Sequence, residues 1–267
     1  MTPPFTTADD AWTVRAWRDD LHVALSLLTR LPVGAPPATA SLSERPKRAF
    51  PLVAAFMGLA AGGAFFVAHD AGLPLVVNTV LCVAALLLLG GHVDDHGHTA
   101  SAPLMVATMM KLAAVYVLGS PMTPGGGPAM VVVALAGAGA LSQAAAILLE
   151  PDGEDEADVP AEAGAVDPKV VILPPDGTQI TEDEMDEGNG RALGAPTTAI
   201  LIALIISILG LGLMPTAVAA GGAMFGAFIA PRLLARDIEA EVLAAPLAMQ
   251  QSGEVWALLA LAVLLSA

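Results

Sequence analysis

Apolar residues in this chain fall into long unbroken blocks rather than into stripes on otherwise polar helices. The blocks cover about residues 50–68, 73–90, 103–119, 129–149, 195–213 and 215–234. Each approaches the ~20 apolar residues that a helix needs to cross a ~30 Å hydrocarbon core. A seventh block, 255–267, is short and reads as a marginal final span, preceded by a polar, helical stretch over 236–254. Residues 20–33 form another short apolar segment, stopped by Pro32. At about 1.5 Å per residue it falls short of a crossing and reads as an interfacial or re-entrant helix. Strand-like alternation is sparse. The pattern therefore predicts an all-α, polytopic transmembrane helical bundle of about six to seven spans.

The connections complete the organisation. Residues 1–49 read as a cytoplasmic or interfacial N-terminal segment, with Trp12 and Trp17 suited to a membrane interface. This segment lacks the apolar core and cleavage site of a signal peptide. Residues 150–194 form an acidic insertion in which 170–180 resemble a small β-hairpin. The whole chain, 1–267, reads as a single integral membrane domain.

Charge distribution orients the bundle. Arg15, Arg18, Arg30, Arg45, Lys47 and Arg48 lie before the first block, Lys169 and Arg191 in the acidic insertion, and Arg232 and Arg236 near the last connection. The short turns at 69–72, 120–128 and 214–216 contain no Lys or Arg. By the positive-inside rule, the N-terminus and every long loop are cytoplasmic, in a multi-pass protein of the cell inner membrane.

Composition agrees: 55% of residues are hydrophobic and 14% charged, against about 25% charged in soluble domains. The net charge of −15 is local, since 14 of the 26 acids lie between residues 150 and 187. No basic patch with interleaved aromatics occurs, which argues against a nucleic-acid partner. The single cysteine, Cys82, excludes an intrachain disulfide.

Candidate chemistry concentrates at residues 90–99, directly after the second block. His92, Asp94, Asp95, His96 and His98 place two carboxylates and three imidazoles within seven residues. Carboxylates alone suit Mg²⁺, whereas added imidazoles shift the preference toward Zn²⁺, Mn²⁺, Fe²⁺ or Ni²⁺. If helical, the segment puts His92 with Asp95 and Asp94 with His98 on shared faces. The competing reading is a solvated loop that merely marks the membrane boundary. Lys111 lies inside an apolar block and either snorkels to the surface, the more conservative reading, or contacts a phosphate. Arg30 meets either an anionic headgroup or a substrate phosphate. Gln250, Gln251 and Glu254 either close a polar site or end a surface helix. The acidic insertion lacks the spacing of an EF-hand. The glycine pairs Gly62-Gly63 and Gly221-Gly222 favour close helix packing rather than nucleotide binding.

Several stretches resemble one family, cobalamin synthase (adenosylcobinamide-GDP ribazoletransferase). Asp20-Leu21 with Leu25-Ser26-Leu27-Leu28-Thr29-Arg30-Leu31-Pro32-Val33 is similar to its N-terminal signature. Ala49-Phe50-Pro51-Leu52-Val53 resembles the start of its first span, Leu141-Ser142-Gln143-Ala144-Ala145 stands where the family has an L-S-R-A segment, and Gln250-Gln251-Ser252-Gly253-Glu254 is similar to a C-terminal Q-Q-x-x-E feature. The family's acidic motif, roughly H-E-D-G-L-A-D-T-A-D, falls on residues 92–101. His92, Asp94, Thr99 and Ala100 match it; Val93, Asp95, His98 and Ser101 replace Glu, Gly, Asp and Asp. Of a following M-K-D-S-R-I-G-A-Y-G segment, little but Met110 and Lys111 remains. Glu241 stands in the Asp position of a later G-G-x-T-G-D motif whose leading glycines are absent.

The resemblance implies a Mg²⁺-dependent membrane transferase of late cobalamin biosynthesis. Such an enzyme joins α-ribazole, or its 5′-phosphate, to adenosylcobinamide-GDP and releases GMP. Mapped onto this chain, it implies His92, Asp94 and Asp95 as catalytic residues, with Asp94, Asp95 and His98 around the metal. Arg30 and Lys111 would contact phosphate, and Glu241 would add an acid to the substrate site. The bilayer is a further partner, and the oligomeric state stays open. Two other readings compete: a divalent-metal binding or transport protein using His92, His96 and His98, and an inactive scaffold of the same fold.

Overall fold

The computed structural model describes residues 13–33, 45–90, 102–149, 194–234 and 245–267. Eight α-helices run in the order α1 (Val14–Leu28), α2 (Phe50–Asp70), α3 (Leu75–Leu89), α4 (Ala102–Gly119), α5 (Pro128–Leu149), α6 (Ala195–Leu211), α7 (Leu213–Leu234) and α8 (Ala245–Ser266), with a 3₁₀ turn, Arg45–Ala49, leading into α2. Seven of them, α2 to α8, are the apolar blocks of the sequence, and the chain is an all-α membrane bundle. Lys47–Asp70, Pro128–Leu149 and Ala248–Ser266 are each long and apolar enough to cross a membrane. Leu75–Leu89, Met105–Gly119, Ala195–Leu211 and Leu213–Ile229 are shorter apolar helices. The expected hairpin at 170–180 lies outside the described residues, among which the β-contact is an isolated bridge between Thr29 and Gly90.

Helix α5 is the axis of the bundle. It is buried almost all round, from Val131 and from Ala134 through Ile147, and packs against α2, α4, α6, α7 and α8. Its small residues make this feasible, because without a hydrophobic drive between helices in lipid, backbones must approach closely to gain dispersion and packing. A side chain at Gly58 of α2 would strike the Leu135 carbonyl oxygen, and one at Gly62 would meet the Val132 Cα at 2.5 Å. Gly139 similarly faces Ala54. The second tight seam joins α7 to α8, where Gly222 and Gly226 lie against the backbones of Trp256 and Ser252. Both seams read Gly-x-x-x-Gly. In the sequence Gly62 and Gly222 stand out only as members of adjacent glycine pairs, yet their neighbours Gly63 and Gly221 face open space.

Two helices differ from their expected bounds. α1 starts at Val14 because Thr13 caps it, its Oγ1 accepting from the Ala16 N–H at 3.2 Å. It stops at Leu28, where Thr29 turns extended shortly before Pro32. The final apolar run is not a separate short span. Residues 245–266 form one helix of 22 residues, adding the polar turn with Gln250, Gln251 and Glu254 to the apolar block. Its far end reaches the α4–α5 turn, where a side chain at Gly125 would contact Leu265 at 3.8 Å. α8 thus runs the length of α5, with Gly253 beside Ser142 near one end of that helix.

Candidate functional site

The site grows from the way α1 is fastened. Asp20 lies on its buried face with Val23 and Ala24. The Arg48 Nε donates to Asp20 Oδ2 at 2.6 Å, with Nη2 at 2.5 Å from the same oxygen. The Arg48 guanidinium carbon also stands 4.4 Å above the centre of the Trp17 ring, adding a cation–π contact. Ala24, Ala49 and Val53 form a small apolar core beside this pair. The amphipathic α1 is therefore pinned to the start of α2 by a buried charge pair and a few small apolar side chains. In the sequence, Arg48 counts only toward the positive charge before the first block and Asp20 only toward the N-terminal signature; an acid opening an otherwise apolar helical segment is the available signal.

This fastening sets the corner that follows. The Thr29 hydroxyl donates to the Leu25 carbonyl at 2.7 Å and accepts from the Leu31 N–H at 3.3 Å. His22 Nε2 lies 2.6 Å from the Val33 carbonyl oxygen, folding residues 31–33 back along α1. The Arg30 N–H donates to the Leu89 carbonyl at 3.1 Å, and Thr29 bridges Gly90. The N-terminal signature is thereby held at the C-terminal end of α3, where residues 91–101 begin. Arg30 itself is exposed at this junction.

The other predicted residues divide clearly. His92, Asp94, Asp95, His96, His98 and Glu241 lie outside the described residues. Among the described residues there is no group of three His, Cys, Asp or Glu able to hold a metal ion. Lys111 does not snorkel: its Nζ donates to Glu254 Oε2 at 2.5 Å, with side chains only 14% and 10% exposed. Lys111 and Glu254 each stand nine residues into their helices, so the pair lies about 14 Å from the helix starts. A lone lysine at such depth costs roughly 3 kcal/mol or more on insertion scales, and the carboxylate offsets that by supplying a partner. Glu254 thus belongs to the bundle interior, not to a surface helix. Ser142 and Gln143 are also buried, on the stretch of α5 that faces Gly253. Ser142 satisfies its hydroxyl on the Gly139 carbonyl at 2.9 Å.

Set against known proteins, residues 20–95 match the family model of cobalamin-5-phosphate synthase. The match opens on Asp20 and closes on Asp95, so it contains residues 20–28 of the pinned helix, the corner at Arg30, Arg48, and both acids of the His/Asp stretch. No curated protein and no solved structure matches the chain. Over residues 20–95, less than a third of its length, the chain is therefore similar to the cobalamin synthase family.

Proposed function

We propose that the protein transfers α-ribazole, or its 5′-phosphate, onto adenosylcobinamide-GDP with release of GMP, at the face of the membrane that carries the long loops. The family supplies the setting, ribazole transfer in late cobalamin biosynthesis. The observation that carries the reading is the bond from the Arg30 N–H to the Leu89 carbonyl, with Thr29 bridging Gly90. It brings Arg30, whose side chain is exposed, beside Gly90, the first residue of a stretch rich in carboxylate and imidazole. A planar guanidinium matches the two oxygens of a phosphate group.

In this reading a ribose hydroxyl attacks the phosphorus attached to cobinamide. A new P–O bond replaces the bond to the bridging oxygen, which leaves with GMP. The hydroxyl proton passes to a carboxylate, Asp94 or Asp95. Arg30 orients the diphosphate. Asp94, Asp95 and His98 would hold Mg²⁺, which would supply positive charge to offset that developing on the phosphoryl oxygens. The absence of Lys and Arg from the opposite turns supports a cytoplasmic placement of this face. The test is direct: purified protein supplied with Mg²⁺, adenosylcobinamide-GDP and α-ribazole should form the complete cobamide. Product no greater than in a protein-free control would refute the proposal.

A further inference from the structure

Helix α1 touches the bundle at three places along its length. Trp17 lies under the Arg48 guanidinium, Ala24 packs with Ala49 and Val53 at the start of α2, and the corner at Thr29 and Arg30 bonds to Gly90 and Leu89 at the end of α3. The start of α2 and the end of α3 lie at the same face of the bundle, so α1 crosses the ends of two spans. With 15 residues it is about 22 Å long, and it lies along the membrane surface rather than through it. Its inner face carries Asp20, Val23 and Ala24. The face turned away from the bundle carries Val14, Arg18 and Leu21, spaced i, i+4 and i+7, with Arg15 beside them. That face mixes charge with apolar surface: Val14 is 88% and Leu21 37% exposed, and both arginines are exposed.

We infer that the outward face of α1 binds acidic phospholipid, with Arg15 and Arg18 on headgroup phosphates and Val14 and Leu21 against the acyl chains. A helix face in water is ordinarily polar throughout. One at headgroup depth buries its apolar side chains in lipid and lets its arginines snorkel to the phosphates. Charge selects the lipid class. Asp20 is buried against Arg48, so the charges that α1 presents outward are Arg15, Arg18 and the part-exposed Asp19. Asp19 meets Arg18 at 3.1 Å with both side chains exposed. A surface pair of this kind is weak, and a headgroup phosphate readily takes its place. Each basic residue near an anionic leaflet strengthens attachment about five-fold. Bound lipid favours the docked helix over its locally unfolded state and so strengthens the hold on the corner at Arg30. The surface uses none of the residues assigned to ribazole transfer and stands independently of that reaction.

The test measures backbone amide exchange of the full-length protein in nanodiscs of phosphatidylcholine alone and of an equal mixture with phosphatidylglycerol. Exchange over residues 16–28 should slow at least about five-fold in the mixture, while residues 134–147 of α5 stay the same in both. High salt should abolish the difference, because exposed charges are screened. Arg15→Gln/Arg18→Gln should match the wild type in phosphatidylcholine and show no slowing in the mixture. Equal exchange of the wild type in the two lipids would overturn the inference, and so would slowing that survives high salt or the double substitution. A second copy of the chain on this face would make exchange over 16–28 follow the number of copies per disc and ignore the lipid, which also overturns it. Should the double variant fail to fold, the salt dependence of the wild type decides.

Discussion

Arg48 reaches back across 28 residues to grip Asp20 at 2.6 Å, and the same guanidinium covers the face of Trp17. This contact fastens an amphipathic surface helix to the start of the first long span. Together with the backbone contacts of Thr29 and Arg30 to Gly90 and Leu89, it sets where Arg30 stands at the edge of the His/Asp stretch.

Breaking the contact from one side should therefore cost more than removing it altogether. Asp20→Asn or Arg48→Met alone should destabilise α1 by about 3–5 kcal/mol, leaving the other charged group buried without its partner. The double variant Asp20→Leu/Arg48→Met should lose less than either single change. Thermal unfolding in detergent, followed by tryptophan emission, measures this. A double variant that loses the sum of the two single effects would contradict a coupled pair.

The glycine seams give a second, sharply position-dependent expectation. Gly58→Leu or Gly222→Leu drives a side chain into a facing backbone and should cost at least the roughly 1–3 kcal/mol typical of overpacked cores. Gly63→Ala and Gly221→Ala, which meet nothing within 4 Å, should be neutral or slightly stabilising in a helix. Yield and thermal stability of the four variants in detergent check the contrast, and equal losses at all four positions would sink it.

The same seams show what could be read from the chain in advance. Apolar blocks of membrane length predict α2 to α8 because lipid permits few other backbone arrangements. The polar character of Gln250, Gln251 and Glu254, however, concealed the continuity of α8. In a bundle a polar residue can point at a partner helix, and the partner of Glu254 is Lys111, 143 residues away. A local pattern cannot contain that pairing, so snorkelling looked the safer fate for Lys111. Asp20 and Arg48 were hidden for the same reason at shorter range. The corner at Thr29 and Arg30 was legible as a signature, but its docking on Leu89 and Gly90 was not. That docking rests on backbone hydrogen bonds, which residue identity does not specify.

Arg30 should act on substrate and not on folding, since its side chain is exposed and its structural contact is made by the backbone N–H. Arg30→Ala should weaken binding of the guanosine diphosphate-bearing substrate about ten-fold or more, the range expected for losing a hydrogen bond to a charged group. Thermal stability should stay within about 0.5 kcal/mol of wild type, as for other surface changes. Arg30→Lys should recover only part of the affinity, because a lysine cannot present two parallel donors to one phosphate. Titration of the three proteins with adenosylcobinamide-GDP measures the effect. Unaltered affinity in Arg30→Ala would remove Arg30 from the site.

The proposed metal ligands should be separable by metal type. Asp94→Asn or Asp95→Asn should raise the Mg²⁺ concentration needed for half-maximal turnover, because a neutral amide binds a hard cation less well than a carboxylate. His98→Ala should leave Mg²⁺ dependence nearly intact and instead weaken Zn²⁺ or Ni²⁺, which favour imidazole. Calorimetry with each metal on the three variants checks the pattern. Tight Zn²⁺ binding that disappears in His96→Ala/His98→Ala, in a protein without Mg²⁺-dependent turnover, would favour metal handling over transfer.

The most direct test of the central claim is the stoichiometry of GMP released to cobamide formed by the purified protein with Mg²⁺, adenosylcobinamide-GDP and α-ribazole. Ribazole transfer predicts equal amounts of the two products, with GMP release dependent on α-ribazole. GMP released without α-ribazole, or no GMP at all, would contradict it.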